Sequence, residues 1–277
     1  MPTPHPHLRS YCETEGDRSA WVRGIFDRTA ADYDRLERIV GFGTGSWYRR
    51  RALEAAGLKP GMSVIDVGTG TGLLASAAAG IVGDPTRVTG VDPSAGMIEH
   101  ARVPAGVRLL SGSAESIPAA DGSADFLCLG YALRHISDLS AAFAEFHRVI
   151  RPGGRLCVLE ITLPAGSVRR ALLRAWLQGL VPRIAALVAR RSDAPLLMRY
   201  HWDTIAACVP PETILRALAA SGFVDIECQV DLTIFSAYHA RKPLSPTGML
   251  RAAAVPRSNG SVGRSPAPSE STDPAAS

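Results

Sequence analysis

The chain lacks closely spaced cysteines. Its five cysteines are spread over 277 residues, and no CxxC pair occurs among them. Zinc sites and disulfide frameworks both depend on cysteines at short, regular spacings. We therefore predict no metal centre, no disulfide framework and a reducing, cytoplasmic location.

Long apolar runs and strongly basic segments are missing as well. No stretch of about 18 apolar residues occurs, so the sequence predicts no transmembrane helix. Residues 1–16 are polar and have no apolar core of the kind that a signal peptide needs. The net charge is only +4, without a lysine-rich run or a basic patch interleaved with aromatic residues. We therefore predict no nucleic-acid partner.

What the chain does contain suits one large domain. Hydrophobic residues make up 46% and charged residues 20%, which is typical of a packed globular core. We predict a flexible N-terminus over residues 1–16, a folded domain over 17–243 and a tail over 244–277. Ser, Pro, Ala and Gly dominate the tail, so we expect it to be disordered. A dispensable extension is favoured over a partner-binding segment.

Short β-branched runs alternate with helical stretches through the middle of the chain. The predicted strands cover residues 62–67, 87–91, 107–111, 124–129, 155–160, 223–228 and 232–238. This alternation predicts a Rossmann-like α/β fold, a seven-stranded, mostly parallel sheet with helices on both faces. Only a few residues join the last two strands, so these strands must be antiparallel neighbours. Helical N-terminal and cap segments, the cap at about residues 164–210, complete the predicted domain.

The strongest local signal is the segment VIDVGTGTG at residues 64–72, a strand that runs into a glycine-rich turn and then a helix. Gly68, Gly70 and Gly72 let the backbone turn tightly and approach a ligand closely. The spacing GxGxG, rather than GxGxxG, argues against a nicotinamide enzyme. Asp66 directly precedes the turn, where it either fixes the loop or meets a cationic amino group.

The second signal is an acid at the end of the second predicted strand. Asp92 lies 20 residues after Gly72, where a carboxylate can accept hydrogen bonds from both hydroxyls of an adenosine ribose. An isolated Asp before Pro93 more often caps a helix. After a glycine loop at this distance, we favour the ribose role.

Two more segments follow predicted strands at the same edge of the sheet. Ser113 and Ala114 come after the third strand, and residues 130–135 come after the fourth. Ligands of open α/β sheets bind at the carboxyl ends of the strands. All four segments together therefore predict one ligand cleft.

Three further motifs carry a resemblance to a known family. They are FDRTAADYD at residues 26–34, ALRHISD at 132–138 and RVIRPGGRLCVLE at 148–160. The region from about Phe26 to Tyr238 resembles the ubiquinone/menaquinone C-methyltransferases, which are class I methyltransferases. The resemblance implies an S-adenosyl-L-methionine-dependent methyltransferase that acts on a quinone-like or phenolic, lipophilic acceptor. The implied cofactor contacts are Thr71, Asp92, Ser113 with Ala114 near the adenine, and Gly130 at the methionine end.

The chain departs from the family pattern at several positions. Leu73 stands where the family often has an acid, and His135 where it often has Asn. Residues 35–38 replace the family's Asn-Asp pair. In the substrate region, His201 and Trp202 are substitutions that we expect to reshape the acceptor pocket.

Methylation of a ring carbon needs a nearby group that removes or stabilises a phenolic proton. His135 is the first candidate base, Arg134 the candidate for stabilising a phenolate, and Tyr33 the candidate for closing over the site. His201 and Asp203 are further candidates. For each residue the alternative is a structural polar role at a helix end.

The cap is rich in apolar residues and arginines, with no acid between residues 167 and 191. Pro182 is predicted to divide it into two helices. One interpretation is a cap packed on the core; the other is an apolar lid that lies against anionic lipid, a peripheral membrane contact. The predicted apolar stripe consists of Leu172, Trp176, Leu180, Ile184 and Val188, widened by Leu173, Leu177 and Val181.

Alternatives to the quinone-type methyltransferase remain. The nearest is an O- or C-methyltransferase of an aromatic compound or polyketide of specialised metabolism. A nicotinamide-dependent oxidoreductase and a protein that binds the same cofactor without transferring a methyl group are the others. The sequence alone does not fix the oligomeric state.

Overall fold

The computed structural model describes residues 10–12, 14–40, 43–188 and 193–244. The tail predicted to be disordered lies outside these ranges from residue 245 onward, as do residues 1–9. Helix α1 (Glu15–Val40) and helix α2 (Gly45–Ala55) precede the sheet. The domain boundary predicted at residue 17 therefore falls inside α1. Tyr11 is already packed, because its hydroxyl donates to Asp203 Oδ2 at 2.6 Å.

Within the described residues, seven strands form one sheet in the order β3-β2-β1-β4-β5-β7-β6. They are β1 (Val64–Val67), β2 (Val88–Asp92), β3 (Arg108–Ser111), β4 (Ala124–Gly130), β5 (Ile150–Ile161), β6 (Val224–Asp231) and β7 (Phe235–Arg241). The pairs among the first five are parallel. Strand β7 runs antiparallel to both β5 and β6. The predicted Rossmann-like sheet and its antiparallel last pair are confirmed.

The sheet is covered on both faces, and its central strands β1 and β4 are apolar at most positions, with Asp66 and Asp125 as the exceptions. In β4, Phe126 and Cys128 pack with residues of α2 and of α3 (Leu73–Val82). Leu127 and Leu129 point the other way, into a core that includes α5 (Leu139–Val149) and α9 (Pro211–Ala220). Successive side chains of a strand alternate between faces, so one continuous apolar run serves two cores.

The strand order creates a crevice at one edge of the sheet. From β1 the chain moves outward to β2 and β3, and then returns to β4 on the other side of β1. The connections after β1 and β4 therefore run in opposite directions and leave a crevice between them. Ligands of open α/β sheets usually bind in such a crevice. The loops that follow β1, β2, β3 and β4 all lie at this edge.

The cap contains one continuous helical path between residues 167 and 188. It comprises α6 (Ser167–Arg174), a π-helical segment (Ala175–Leu180) and α7 (Val181–Val188), followed by α8 (Ala194–Ala207). The prediction that Pro182 separates two helices is wrong, since Val181 keeps helical angles (φ −58°, ψ −44°). A proline ring needs space against the carbonyl four residues earlier. The wider π turn directly before Pro182 supplies that space.

The inner face of the cap is narrower than the predicted stripe. Leu177 and Val181 are buried against residues of α1 and α8, whereas Leu172 is 67% and Leu180 47% exposed. The residues predicted as the centre of the stripe, such as Leu172 and Leu180, are therefore only partly buried. Two of the residues predicted to widen it, Leu177 and Val181, face the core. The side chain of Val188 lies outside the described residues. No helix in the described ranges combines the length and the apolar character that crossing a membrane requires.

Candidate functional site

The glycine loop after β1 makes a turn that only glycine adopts readily. Gly68, Gly70 and Gly72 have φ angles of 64°, 56° and 86°, the left-handed region that side chains disfavour. A Cβ atom on Gly72 would lie 2.2 Å from Cγ1 of Val103. Both the backbone angle and the available space therefore favour glycine at position 72.

Asp66 is fully buried beneath the glycine loop. Its Oδ2 accepts a hydrogen bond from Thr69 Oγ1 at 2.6 Å, and Cys128 Sγ lies 3.5 Å from Oδ1. Burial raises the pKa of Asp66 to about 7, against the effect of these hydrogen bonds. The hydrogen bond from Thr69 ties Asp66 to the loop, and the contact with a cationic amino group stays a prediction.

Asp92 joins the glycine loop to the next loop of the crevice. Its Oδ2 accepts from the backbone N–H of Gly70 at 2.7 Å, and Oδ1 accepts from the N–H of Ser94 at 2.8 Å. Burial raises the pKa of Asp92 to about 6, although both N–H groups favour the charged form. The alternative of a helix cap is wrong, because Ser94 caps α4 (Ala95–Glu99) through the N–H of Met97. Each carboxylate oxygen keeps acceptor capacity for ligand hydroxyls.

Helix α1 lies across the two loops. Asp34 Oδ1 accepts from Thr71 Oγ1 at 2.5 Å. Asp27 Oδ1 accepts from Ser94 Oγ at 2.6 Å and from the N–H of Gly96 at 2.9 Å. Sequence reasoning missed both acids as contacts of the crevice. Their spacing of seven residues, which puts them on one face of a helix, was the available signal.

The remaining predicted cofactor residues follow β3 and β4. Ser113 begins a turn after β3 that is closed by its N–H and the carbonyl of Ser116 at 3.1 Å, and Ala114 is buried within it. Gly130 ends β4, where a Cβ atom would lie 3.0 Å from Leu74 Cδ2. The structure therefore brings all the predicted cofactor residues to the edge where β1, β2, β3 and β4 end.

A cavity of about 320 Å³ adjoins the end of β4. Residues of α1, the start of α2, the cap, α8 and the β6–β7 turn enclose it. Its wall is mostly apolar and includes Leu36, Val40, Ile161, Leu173, Trp176, Leu177, Met198, Ile205, Leu232, Ile234 and Phe235. Such a cavity suits a lipophilic ligand with few polar groups.

Arg134 brings a permanent positive charge to this apolar wall. Its guanidinium donates to Glu160 Oε1 at 2.5 Å, the Tyr131 carbonyl at 2.7 Å, Thr204 Oγ1 at 3.2 Å and His201 Nδ1 at 2.8 Å. Burial opposes the charge, but the neighbouring Glu160 and Tyr33 hold the pKa of Arg134 above its usual value. The side chain is only 2% exposed, so its charge is poorly screened.

Tyr33 and His135, the other two predicted catalytic residues, differ in position. Tyr33 lines the cavity, and burial raises its pKa to about 12. His135 is absent from the described residues that line the cavity. Its Nδ1 lies 3.0 Å from the hydroxyl of Tyr200, and the two rings stack with centroids 5.3 Å apart. Two of the three residues therefore meet at the wall, with His135 behind it.

The further candidates His201 and Asp203 separate in the same way. His201 lines the cavity, and burial together with the nearby Arg134 lowers its pKa to about 3. Asp203 accepts hydrogen bonds from Tyr11 and, at 3.4 Å, from Gln178 Nε2. Asp203 thus ties α8 to the N-terminal segment and to the cap.

The sequence analysis missed a second charged group of the cavity. Glu37 lines the wall and forms an ion pair with Arg49, whose guanidinium carbon lies 5.8 Å from the centroid of the Tyr131 ring. Glu37 lies in the stretch that departs from the family pattern. Its partner belongs to another helix, so no local spacing revealed the pair. Across the described ranges, no group of three or more His, Cys, Asp or Glu is placed to hold a metal ion.

Comparison with known proteins gives a consistent result. The model of the ubiE/COQ5 methyltransferase family matches residues 13–240. The ubiquinone/menaquinone biosynthesis C-methyltransferase UbiE of Shewanella woodyi is 30% identical over 233 residues, which cover 81% of this chain and 92% of that protein.

Two solved structures share the fold at low sequence identity. A methyltransferase of Thermotoga maritima, described as SAM-dependent and a possible histamine N-methyltransferase, is 20% identical with a TM-score of 0.53. The match covers 79% of this chain and 98% of that one. The [4+2]-cyclase SpnF is 19% identical with a TM-score of 0.56, over 82% of this chain and 97% of its own. At these identities the structures show the fold alone.

Proposed function

Because this chain belongs to the ubiE/COQ5 methyltransferase family, and is therefore an S-adenosylmethionine-dependent methyltransferase, we propose that it methylates a ring carbon of a quinone-like or phenolic, lipophilic acceptor. The observation that carries the proposal is the apolar cavity beside the end of β4, with Arg134 in its wall. An apolar cavity suits an aromatic ring with a lipophilic substituent. A buried cation suits the anion of such a ring's hydroxyl.

The cofactor cleft fits an adenosine-bearing ligand. Asp92 offers a carboxylate at the ribose position, and the loop of Gly68, Gly70 and Gly72 offers backbone at close approach. Thr71, Ser113, Ala114 and Gly130 complete the proposed cofactor contacts. The bound cofactor supplies a methyl group that is already activated on a sulfonium, so positioning the acceptor is the main task left to the protein.

The chain's own residues serve the acceptor. Once a ring hydroxyl loses its proton, the ring electrons form the new bond to the methyl carbon while the carbon–sulfur bond breaks. The methylated carbon then loses its own hydrogen as a proton. Arg134 stabilises the negative charge before transfer, because a charge interaction is strong where water is excluded. Tyr33 closes the wall from α1.

His135 remains the proposed base, acting from behind the wall. Its ring lies 6.3 Å from the ring of His201, so proton transfer from the cavity requires a ring rotation or an intervening water. If this role is right, His135→Ala lowers kcat about 100-fold and removes the acid limb of the pH–rate profile. A kcat within a few-fold of the unsubstituted protein removes His135 from the mechanism.

The acceptor is tested with purified protein, S-adenosylmethionine and a panel of reduced acceptors. The panel contains a prenylated naphthohydroquinone, a prenylated benzenoid phenol and an aromatic polyketide. We expect S-adenosylhomocysteine to form only with an acceptor present, and the methyl group to appear on a ring carbon by NMR. Transfer to oxygen, or to the polyketide alone, favours the specialised-metabolism alternative. Cofactor binding without transfer to any acceptor favours a protein that does not methylate.

The outer face of the cap supports a second part of the proposal, peripheral contact with anionic lipid. Val168 is 71%, Leu172 67% and Leu187 85% exposed, and residues 167–191 of the cap include arginines but no acid. An exposed apolar line flanked by arginines suits the surface of an anionic membrane. The inner face of the same cap lines the cavity, so a lipid-borne acceptor would meet the cap first.

Co-sedimentation with vesicles tests this contact. We expect more protein to pellet with phosphatidylglycerol vesicles than with phosphatidylcholine vesicles at low salt, and the double variant Leu172→Asn/Leu187→Asn to lose most of the difference. Val230→Asn is the matched control, since Val230 is 50% exposed on β6. Equal pelleting with both lipids, or no pelleting at low salt, would contradict the proposed contact with anionic lipid.

A further inference from the structure

We infer that His201 is a neutral hydrogen-bond donor to the acceptor's ring oxygen, and that it forms with Arg134 a two-donor site for the phenolate. The inference rests on the proposed aromatic acceptor and adds a residue that selects it. The sequence suggested His201 as a further candidate for the base. The inference makes it a hydrogen-bond donor instead.

The tautomer of His201 follows from its partner. Arg134 Nη2 lies 2.8 Å from His201 Nδ1, and a guanidinium can only donate. Nδ1 must therefore accept, which places the ring proton on Nε2. A histidine in this state donates at Nε2. It has no free lone pair with which to remove the phenolic proton of the methyl acceptor.

The position of His201 directs that donor to the cavity. Its ring belongs to the cavity wall, with Tyr33 and Phe26 at centroid distances of 6.4 Å and 6.2 Å. Among the described residues, no hydrogen bond engages Nε2, and this atom is not sealed off as Nε2 of His147 is. The donor thus remains available for a ligand.

Arg134 fixes two positions of α8 at once. Its Nε donates to Thr204 and its Nη2 to His201, three residues apart on one face of the helix. Thr204 in turn donates to the carbonyls of Tyr200 and His201. These contacts take four of the five guanidinium N–H groups, counting those to Glu160 and Tyr131. The remaining N–H and His201 Nε2–H form the proposed pair.

The electrostatic surroundings keep His201 neutral. The charged and titratable groups around this part of the wall are Tyr33, Glu37, Tyr48, Arg49, Tyr131, Arg134, His135 and Glu160. Burial and the adjacent Arg134 disfavour a second positive charge, which lowers the pKa of His201 to about 3. Its donor role therefore does not change across the working pH range.

The test measures the pKa of a bound phenol directly. The probe is 1-naphthol, titrated by absorbance in the presence of S-adenosylhomocysteine, so that no turnover is needed. We expect the protein to lower the pKa of bound 1-naphthol. In His201→Phe we expect that pKa to be about one unit higher than in the unsubstituted protein, the size expected for the loss of a hydrogen bond to a charged oxygen. His201→Gln keeps both an acceptor for Arg134 and a donor, so we expect it to restore most of the shift.

The controls separate this inference from the proposed function. Unchanged S-adenosylhomocysteine affinity in His201→Phe shows that the cofactor cleft is intact. If His201→Phe leaves the pKa of bound 1-naphthol where the unsubstituted protein puts it, or if that protein does not lower it, the inference is wrong. Failure of every acceptor in the transfer assay, with the naphthol shift present, would instead contradict the proposed reaction.

Discussion

The buried carboxyl group of Asp66 makes the stability of the ligand-free protein depend on pH. Its pKa of about 7 in the folded state exceeds its value in an unfolded chain, so the folded state binds more protons between the two values. Stability is then greatest below the unfolded pKa and falls as pH rises through about 7. We expect the stability of Asp66→Asn relative to the unsubstituted protein to rise from pH 5 and to level off above about pH 7, by about 1 kcal/mol for each pH unit between the two pKa values.

Urea unfolding at each pH measures this difference without cofactor present. Glu99→Gln is the control, because Glu99 is an exposed acid on α4. Parallel stability curves for Asp66→Asn and the unsubstituted protein would contradict the expectation.

Single residues were predictable where a local pattern defined them. The place of Asp92 at the site was predicted from its distance to the glycine loop. That of Asp66 was predicted from its position directly before the same loop. The pair of Arg134 and His201 spans 67 positions, and the ion pair of Arg49 and Glu37 joins two helices. Contacts of this kind depend on how elements pack, and a single sequence shows no spacing that reveals them.

Helix α1 is joined to the loops of the proposed cofactor cleft by a small number of hydrogen bonds. Asp27 accepts two of them from the start of α4. At about 1 kcal/mol for each, the loss of both should speed ligand release about thirtyfold. We expect Asp27→Ala to raise the dissociation rate of S-adenosylhomocysteine accordingly, as followed by stopped-flow displacement.

Asp17→Ala provides the comparison on the same helix. The carboxylate of Asp17 bonds only to Thr14 among the hydrogen bonds of the described residues, far from the cleft loops. A release rate for Asp27→Ala equal to that of Asp17→Ala would show that α1 does not control exchange.

Whole elements were predictable to different degrees. Helix α3 (Leu73–Val82) follows the glycine-rich turn as predicted, and Gly72 and Gly83 stand at its two ends. Strand β5 begins at Ile150 rather than Arg155, and the segment with Pro152 and two glycines forms an irregularity within it, where the pairing with β4 shifts register. In the cap, the apolar residues were identified, but the face that meets α1 and α8 depends on those partners.

The topology of the whole molecule followed from the sequence because alternation and connection length restrict it strongly. The long connections between the first five strands permit parallel pairing, whereas the short last connection requires an antiparallel pair. The enclosed cavity was not predictable. Its wall combines residues of α1, α2, β5, the cap, α8 and the β6–β7 turn, and no single segment shows that they converge.

A thermal-shift titration tests the cofactor on the intact protein. S-adenosylmethionine and S-adenosylhomocysteine, each at 100 times its dissociation constant, should stabilise by about 2.7 kcal/mol. For a domain of this size the Tm should rise by about 5 °C or more. We expect no shift with NAD. A shift with NAD alone would overturn the assignment of the cleft.

Helix α1 belongs to both halves of the site. Asp27 and Asp34 hold it on the cofactor loops, while Tyr33, Leu36, Glu37 and Val40 of the same helix line the cavity. If cofactor and acceptor bind as proposed, moving α1 away to exchange the cofactor also removes one wall of the acceptor cavity. This implies a compulsory order of substrate binding: cofactor first, acceptor second, methylated product released before S-adenosylhomocysteine. In steady-state kinetics, S-adenosylhomocysteine would compete with S-adenosylmethionine and be noncompetitive against the acceptor.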